Sequence, residues 1–195
     1  MRERDGHRAV LPKRIILVRH GESQGNNDPA AYDTTPDPKI QLTTQGIAQA
    51  RLAGARMRHL IAGGDSTNWR VYFYVSPYAR TRSTLREIGR SFSKKRVIGV
   101  REECRIREQD FGNFQVQEHM NVIKETRQRF GRFFYRFPEG ESAADVFDRV
   151  SSTLSLALSL FCRKSKLNVS RRFLGLTTFF AIVRAECIDR IGIID

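Results

Sequence analysis

The sequence predicts one α/β domain, a three-layer α/β/α arrangement around a mainly parallel sheet. Short β-branched apolar runs alternate with longer segments of helical periodicity, in the order strand, helix, strand, helix, strand and then further helices. The 195 residues suit a single domain, and 40% hydrophobic with 28% charged residues are typical of a globular protein.

The first elements follow from residue type. Residues 14–18 form an apolar β-branched run, which predicts a buried strand. Residues 21–41 are rich in Gly, Pro, Asn and Asp, so we expect mostly loop there. Thr43 or Thr44 can cap a helix that runs to about Ala62.

The later segments repeat the same alternation. They predict a strand at 71–75, a helix with Pro77 in its first turn, a strand at 97–100, an irregular stretch at 104–116, and helices at 117–134 and 142–162.

The two ends depart from this pattern. Residues 1–13 are polar and are predicted to be a flexible arm, which leaves the domain at 14–162. The composition changes near residue 162, so residues 163–195 are interpreted as an atypical tail that leaves the fold incomplete at its C-terminus. A splice variant, a retained intron or a frameshifted gene model would each produce such a tail. Residues 179–183 could still form a strand.

Several protein classes are excluded by composition. No apolar stretch reaches the roughly 20 residues of a membrane span. The polar start, with early acidic residues, is unlike a secretory or transit signal, so we expect a cytoplasmic protein. Cys104, Cys162 and Cys187 are odd in number and scattered, which favours reduced thiols over disulfides or a metal site.

The net charge of +13, from 34 basic and 21 acidic residues, raises the question of nucleic-acid binding. A basic pI is only the first criterion for such proteins, and no zinc finger, RNP pattern or heptad array accompanies it. We therefore prefer a solvated basic surface with a site for anionic substrates, and keep nucleic-acid binding as a remote alternative.

Chemistry-bearing side chains follow the first two predicted strands. Arg19 and His20 come directly after the first, and Arg80 follows the second. Because carboxyl ends of parallel strands share one edge of a sheet, these side chains should converge. Arginine binds phosphate through a planar fork, and neutral imidazole, with an ordinary pKa near roughly 6.5, is a nucleophile. Asn26 can donate an amide proton, whereas Arg82 is expected to be a surface charge.

These residues carry a family resemblance. Residues 17–23 (LVRHGES), with Asn26, resemble the signature of the histidine phosphatase superfamily, in its phosphoglycerate mutase-like branch. Further matching segments follow in the family's order at residues 42–50, 76–84, 107–112 and 138–142. The likeness is greatest to the phosphoglycerate mutase-like proteins of plants and fungi.

The resemblance implies a fold and a set of roles. His20 would attack phosphorus and become a phosphohistidine, while Arg19, Asn26 and Arg80 would hold the phosphoryl oxygens. Ser23 is a possible further site residue. The guanidinium groups would supply the positive charge, so no metal and no cofactor are expected. The partner would be a phosphorylated small molecule, with no nucleic acid or membrane involved.

The acid is expected in the 107–112 loop. The resemblance points to Glu108, which would protonate the leaving oxygen and later deprotonate the attacking water. Asp110 is a rival two residues on. Specificity is expected to come from the 27–41 loop and the 109–135 region.

One element of the family pattern is missing. The family has a second histidine in a late Ser-His-Gly segment, but His7, His59 and His119 all lie elsewhere, and Arg171 stands in the faintly similar segment. His59 and His119 are expected at the surface. The leading prediction is a metal-independent phosphomonoester hydrolase, a phosphatase rather than a mutase. The alternative is a catalytically impaired phosphate-binding member.

Overall fold

A computed structural model describes residues 14–63, 69–161, 178–184 and 190–194. The strands are β1 (Arg14–Arg19), β2 (Arg70–Val75), β3 (Val97–Glu102), β4 (Thr178–Arg184) and β5 (Arg190–Ile194). The helices are α1 (Gln24–Asn27), α2 (Ala31–Thr34), α3 (Thr44–Ala62), α4 (Ala79–Gly89), α5 (Gln117–Phe130) and α6 (Ala143–Phe161), with short 3-10 turns at Asp37–Lys39 and Cys104–Ile106.

The sheet has the strand order β3-β2-β4-β1-β5. β1 runs parallel to β5 and β2 runs parallel to β3, while β4 is antiparallel to both β1 and β2. Four strands therefore point the same way, which confirms the prediction of a mainly parallel α/β sheet. The carboxyl ends of β1 and β2 open on the same edge, where the loops after Arg19 and Val75 emerge.

The C-terminal segment contributes two strands. The prediction of a strand at 179–183 is confirmed by β4, which lies between β1 and β2. Its first residue, Thr178, is opposite Arg19, at the carboxyl end of β1. Sequence analysis missed β5, a five-residue strand with Gly192 at its centre. The proposed arm at 1–13 lies outside the described residues.

The main core lies between one face of the sheet and the helices α3 and α4. Alternate residues of β1 and β2 point to this face, as the two-residue period of a strand requires. The buried cluster comprises Ile16, Val18, Met57, Ile61, Trp69, Val71, Phe73, Val75, Ile88 and Phe92. On the opposite face Ile15, Leu17 and Tyr74 are buried as well, as expected when helices cover both faces.

Several predicted boundaries need correction. The 21–41 segment is less irregular than expected, since it contains α1, α2 and a 3-10 turn. Pro77 precedes α4, whose N-cap is Tyr78, instead of lying in its first turn. α5 ends at Phe130, four residues earlier than predicted, because Gly131 adopts a positive φ of 107° that terminates the helix. Thr43, not Thr44, caps α3 by accepting a hydrogen bond from the Gly46 amide.

Within the described residues, no helix is long and apolar enough to cross a membrane.

A close backbone approach joins the β1 loop to α3. A Cβ added at Gly21 would collide with the backbone of Gly46, and one added at Gly46 would collide with the backbone of Glu22. Only a residue without a side chain fits at either position. This contact presses the loop that follows β1 against the first turn of α3.

We expect Gly21→Ala to lower the free energy of unfolding by about 1–3 kcal/mol, because a methyl group must displace backbone atoms. Gly89→Ala is the matched control, since a Cβ there meets no atom within 4 Å. Urea unfolding of both variants provides the measurement. Equal stability of the Gly21 and Gly89 variants would contradict the close approach.

Candidate active site

The residue that follows β1, His20, is a buried imidazole with one defined tautomer. Its Nδ1 lies 2.6 Å from the Gly21 carbonyl oxygen. A carbonyl can only accept, so Nδ1 carries the proton and Nε2 of the neutral ring keeps its lone pair. The Gly21 amide in turn donates to Thr84 Oγ1 at 3.1 Å, which attaches this turn to α4. The local geometry therefore presents Nε2 as a nucleophile.

Burial keeps His20 neutral. It lowers the pKa of the imidazole to about 4, and the charges of Arg80 and Arg19 act in the same direction. The Gly21 carbonyl and the Glu108 carboxylate oppose this change without reversing it. The nucleophilic form therefore predominates throughout the neutral pH range.

Ser23 orients Asn26. The Asn26 Oδ1 accepts from the Ser23 amide at 3.1 Å and from Ser23 Oγ at 3.0 Å. Since the oxygen is occupied, the amide nitrogen remains as the donor on this exposed side chain. Ser23 itself is fully buried, so the structure places it behind Asn26. Asn26, Arg19 and His20 line one cavity of about 520 Å³.

Arg80 is a fully buried guanidinium at the start of α4. Its Nη1 donates to the Asp37 carbonyl at 2.8 Å and to Asp37 Oδ1 at 2.6 Å, and its Nη2 donates to Glu108 Oε2 at 2.5 Å. Its Nε is buried without a hydrogen-bond partner. Although burial opposes the charge, Asp37 and Glu108 outweigh it and raise the pKa of Arg80. The group is therefore a permanent cation.

The structure separates the two candidate acids. Glu108 forms an ion pair with Arg80 and has a quarter of its side chain exposed. Its negative charge raises the pKa of His20. Asp110 uses Oδ1 to accept from the Gly112 amide at 3.0 Å, so it closes a turn. Glu108 is thus the carboxylate that lies between Arg80 and solvent at the site.

A second guanidinium supports the loop that carries Glu108. Arg149 Nη1 donates to the carbonyls of Arg105 at 2.6 Å and Arg107 at 2.9 Å, and its Nη2 donates to the Glu108 carbonyl at 3.0 Å. Glu141 pairs with the same guanidinium, with its two oxygens 3.0 Å from Nε and 2.8 Å from Nη2. Arg149 therefore fixes the backbone on which the acid stands.

Sequence reasoning missed both Asp37 and Arg149. Asp37 lies in a Pro-flanked segment whose composition indicates only a turn. Arg149 lies within a predicted helix, where an arginine is typically a solvated charge. The sequence around Asp37 and around Arg149 does not indicate their roles, because the residues that they bind are distant in the sequence.

Other predicted assignments concern the surface. Arg82 is exposed and forms only a 3.6 Å ion pair with Glu102, which confirms the surface interpretation. His59 and His119 are exposed, also as predicted. Cys104 is a free, exposed thiol. Outside the described residues lie His7, Cys162, Arg171 and Cys187.

Comparison with known proteins agrees with this geometry. The profile of the histidine phosphatase superfamily (branch 1) matches residues 15–170. The chain belongs to this family.

Relatives of this chain include the phosphoglycerate mutase-like protein AT74 of Arabidopsis thaliana, 77% identical over 74% of this chain and 46% of that protein. The chain thus spans about half the length of AT74 and of its homologue AT74H. An acid phosphatase of Mycobacterium tuberculosis is 29% identical over 83% of this chain and 71% of that protein.

Among solved structures, the mycobacterial glucosyl-3-phosphoglycerate phosphatase Rv2419c aligns with a TM-score of 0.55. The alignment covers 81% of this chain and 69% of that chain, at 17% identity. At this identity the likeness concerns the fold alone.

The low pKa of His20 predicts a pH-dependent stability. In the unfolded chain His20 binds a proton near pH 6.5, whereas the folded pKa is about 4, so the stability of the protein should fall as pH drops from 6.5 to 4. The expected loss is about 3 kcal/mol in total, at about 1.4 kcal/mol per pKa unit. Urea unfolding of wild type and His20→Gln across this range isolates the effect. Parallel pH curves for the two proteins would contradict it.

The Arg149 contacts predict a local effect of Arg149→Met. The side chain is 12% exposed, and removing it takes the donor from three carbonyls and one of two arginine partners from Glu141, which keeps Arg107, at about 3 kcal/mol. Hydrogen exchange should accelerate at amides 105–112 while α3 and α4 keep their protection. Arg136→Met is the matched control, because that side chain is 62% exposed in its pair with Asp145 and should change stability by less than about 1 kcal/mol. Equal effects of the two variants would refute the supporting role.

Proposed function

We propose that this histidine phosphatase is a phosphomonoester hydrolase that acts through a phosphohistidine on His20, without a metal or an organic cofactor. The observation that carries the proposal is a neutral imidazole, with its lone pair on Nε2, that lines one cavity with Arg19 and Asn26 and is close enough to the buried cation Arg80 for that charge to lower its pKa. The expected substrate is a phosphorylated small molecule.

In the first half-reaction, His20 Nε2 forms a bond to phosphorus as the bond to the leaving oxygen breaks in line with it. Charge then spreads over the three equatorial phosphoryl oxygens. Arg19 and the Asn26 amide supply donors to these oxygens, and the charge of Arg80 stabilises them further. Because burial already keeps His20 neutral, the attack needs no separate base.

Glu108 would act as the general acid and then as the general base. An arriving phosphoryl group is negative and competes with Glu108 for the Arg80 guanidinium, which now bonds that carboxylate at 2.5 Å. Two negative groups at one guanidinium favour a proton between them. Glu108 can then give this proton to the leaving oxygen, and take one from the water that attacks the phosphohistidine.

The names of the relatives include both reactions. Two relatives are acid phosphatases, and others are probable phosphoglycerate mutases. We place phosphatase activity first on the two acid phosphatases, and carry over only the cleavage of a phosphomonoester to this chain.

A second candidate is a phosphate-binding member with impaired turnover. In the described part of the chain, His20 is the only histidine at the site, since His59 and His119 are exposed elsewhere. Both terminal nitrogens of Arg80 are also engaged by carboxylates. Such a site could bind a phosphorylated ligand and yet turn over slowly.

The test is hydrolysis of a generic aryl phosphate at mildly acidic pH, in the presence of a chelator. We expect wild-type activity to survive chelation, and His20→Gln to lose both turnover and acid-labile phosphate on the protein. His119→Gln is the matched control, because it removes an exposed histidine, and it should behave as wild type.

The other outcomes separate the candidates. Acid-labile phosphate on His20 without turnover would favour the impaired member. Wild-type protein that is folded but neither forms a phosphoenzyme nor binds phosphate by calorimetry would contradict both candidates. Nucleic-acid binding with a steep salt dependence, unchanged in His20→Gln, would support the remote alternative.

A further inference from the structure

A second cavity lies beside Glu108 and is walled by α5. Its volume is about 270 Å³, slightly below the roughly 300–1,000 Å³ of pockets for drug-sized ligands. Glu108 and Asp37 line one side of it, and both carboxylates are bound to Arg80 there. The cavity therefore begins where the proposed acid stands.

One wall of this cavity is apolar and firmly packed. Phe111 and Phe137 meet edge to face, with ring centroids 4.8 Å apart. Phe137 and Met120 are both buried, so this wall exists before any ligand arrives. A flat apolar group would replace solvent against it at little reorganisation cost.

The α5 wall is cationic. Lys124 and Arg127 are three residues apart on α5 and so face the same side, and both line the cavity. Within the described residues neither forms an ion pair within 4 Å. The Arg127 guanidinium lies over the Phe137 ring, 5.4 Å from its centroid, with its Nε buried and unpartnered. Burial lowers the pKa of Arg127, and the charge of Arg132 adds to this effect.

The position of Glu108 relates this cavity to the reaction. The negative charge of Glu108 raises the pKa of His20, and the same residue lines this cavity. An in-line displacement puts the leaving oxygen on the side of phosphorus away from the nucleophile, next to the group that protonates it. The part of the substrate attached to that oxygen would therefore extend into this cavity.

We propose that this cavity is the leaving-group subsite and that it selects phosphomonoesters of small, partly apolar alcohols or phenols bearing a second anionic group. The apolar body would lie against Phe111 and Phe137, and the anion would bind Lys124 and Arg127. This inference rests on the proposed hydrolase function, because it names the substrate class of the same site.

The test compares two aryl phosphates, 4-(carboxymethyl)phenyl phosphate and 4-ethylphenyl phosphate. The methylene group insulates the ring from the carboxylate, so the two phenols leave with similar ease and differ mainly in charge. We expect wild-type kcat/KM to be about tenfold higher for the carboxylate. Lys124→Met and Arg127→Met should each reduce this preference, with a larger fall in kcat/KM for the carboxylate than for the ethyl compound.

Matched controls separate charge at the subsite from charge in general. Arg129→Met removes an exposed cation from the same helix without touching the cavity lining, and should keep the full preference. Arg127→Lys retains a charge and should restore part of what Arg127→Met loses. Because Arg127 stacks on Phe137, a thermal melt of each variant checks that the fold survives.

Binding of non-hydrolysable analogues keeps this inference distinguishable from the hydrolase proposal. If wild type shows no turnover, calorimetry compares 4-(carboxymethyl)benzylphosphonate with 4-ethylbenzylphosphonate. Tighter binding of the carboxylate that is lost in Lys124→Met and Arg127→Met would uphold the subsite even in an inactive protein. Equal kcat/KM and equal affinity of wild type for the two compounds, or a preference that survives both substitutions, would overturn the inference.

Discussion

The structure of the site depends on one buried positive charge. A guanidinium with no solvent exposure is strongly unfavourable unless anions and hydrogen bonds surround it. Arg80 meets that condition through Asp37 and Glu108, which come from two loops on either side of α4 in the sequence. The charge therefore organises both loops, and neither contains a long helix or strand of its own that could do so.

Glu108 is held from two directions. Arg80 binds its side chain, while Arg149 binds its backbone carbonyl from α6. An acid that must meet a leaving oxygen needs a defined position, and the loop around it is too irregular to define one. Glu108 also lines the cavity walled by α5, and its negative charge raises the pKa of His20. The proposed acid and the proposed leaving-group subsite thus share one carboxylate.

Burial keeps His20 neutral, so the nucleophilic role proposed for it would need no separate base. Its Nδ1 is committed to the Gly21 carbonyl, and desolvation with nearby arginine charge keeps the ring neutral. Three local features produce this arrangement: an apolar strand, a glycine that follows it, and a helix start that packs against that glycine. All three lie within short stretches of sequence, which is why His20 can be predicted as the nucleophile from the sequence.

The sequence by itself determined the α/β alternation, the burial of β1 and β2, and the convergence of Arg19, His20 and Arg80, because periodicity and strand direction are local properties. It could not decide between Glu108 and Asp110 without the family resemblance, and it did not point to Asp37, Arg149 or β5. Tertiary structure decided the contacts of Asp37 and Arg149, since a buried charge is stabilised by partners that are close in space. The antiparallel course of β4 between β1 and β2 is likewise a property of pairing across long sequence separations.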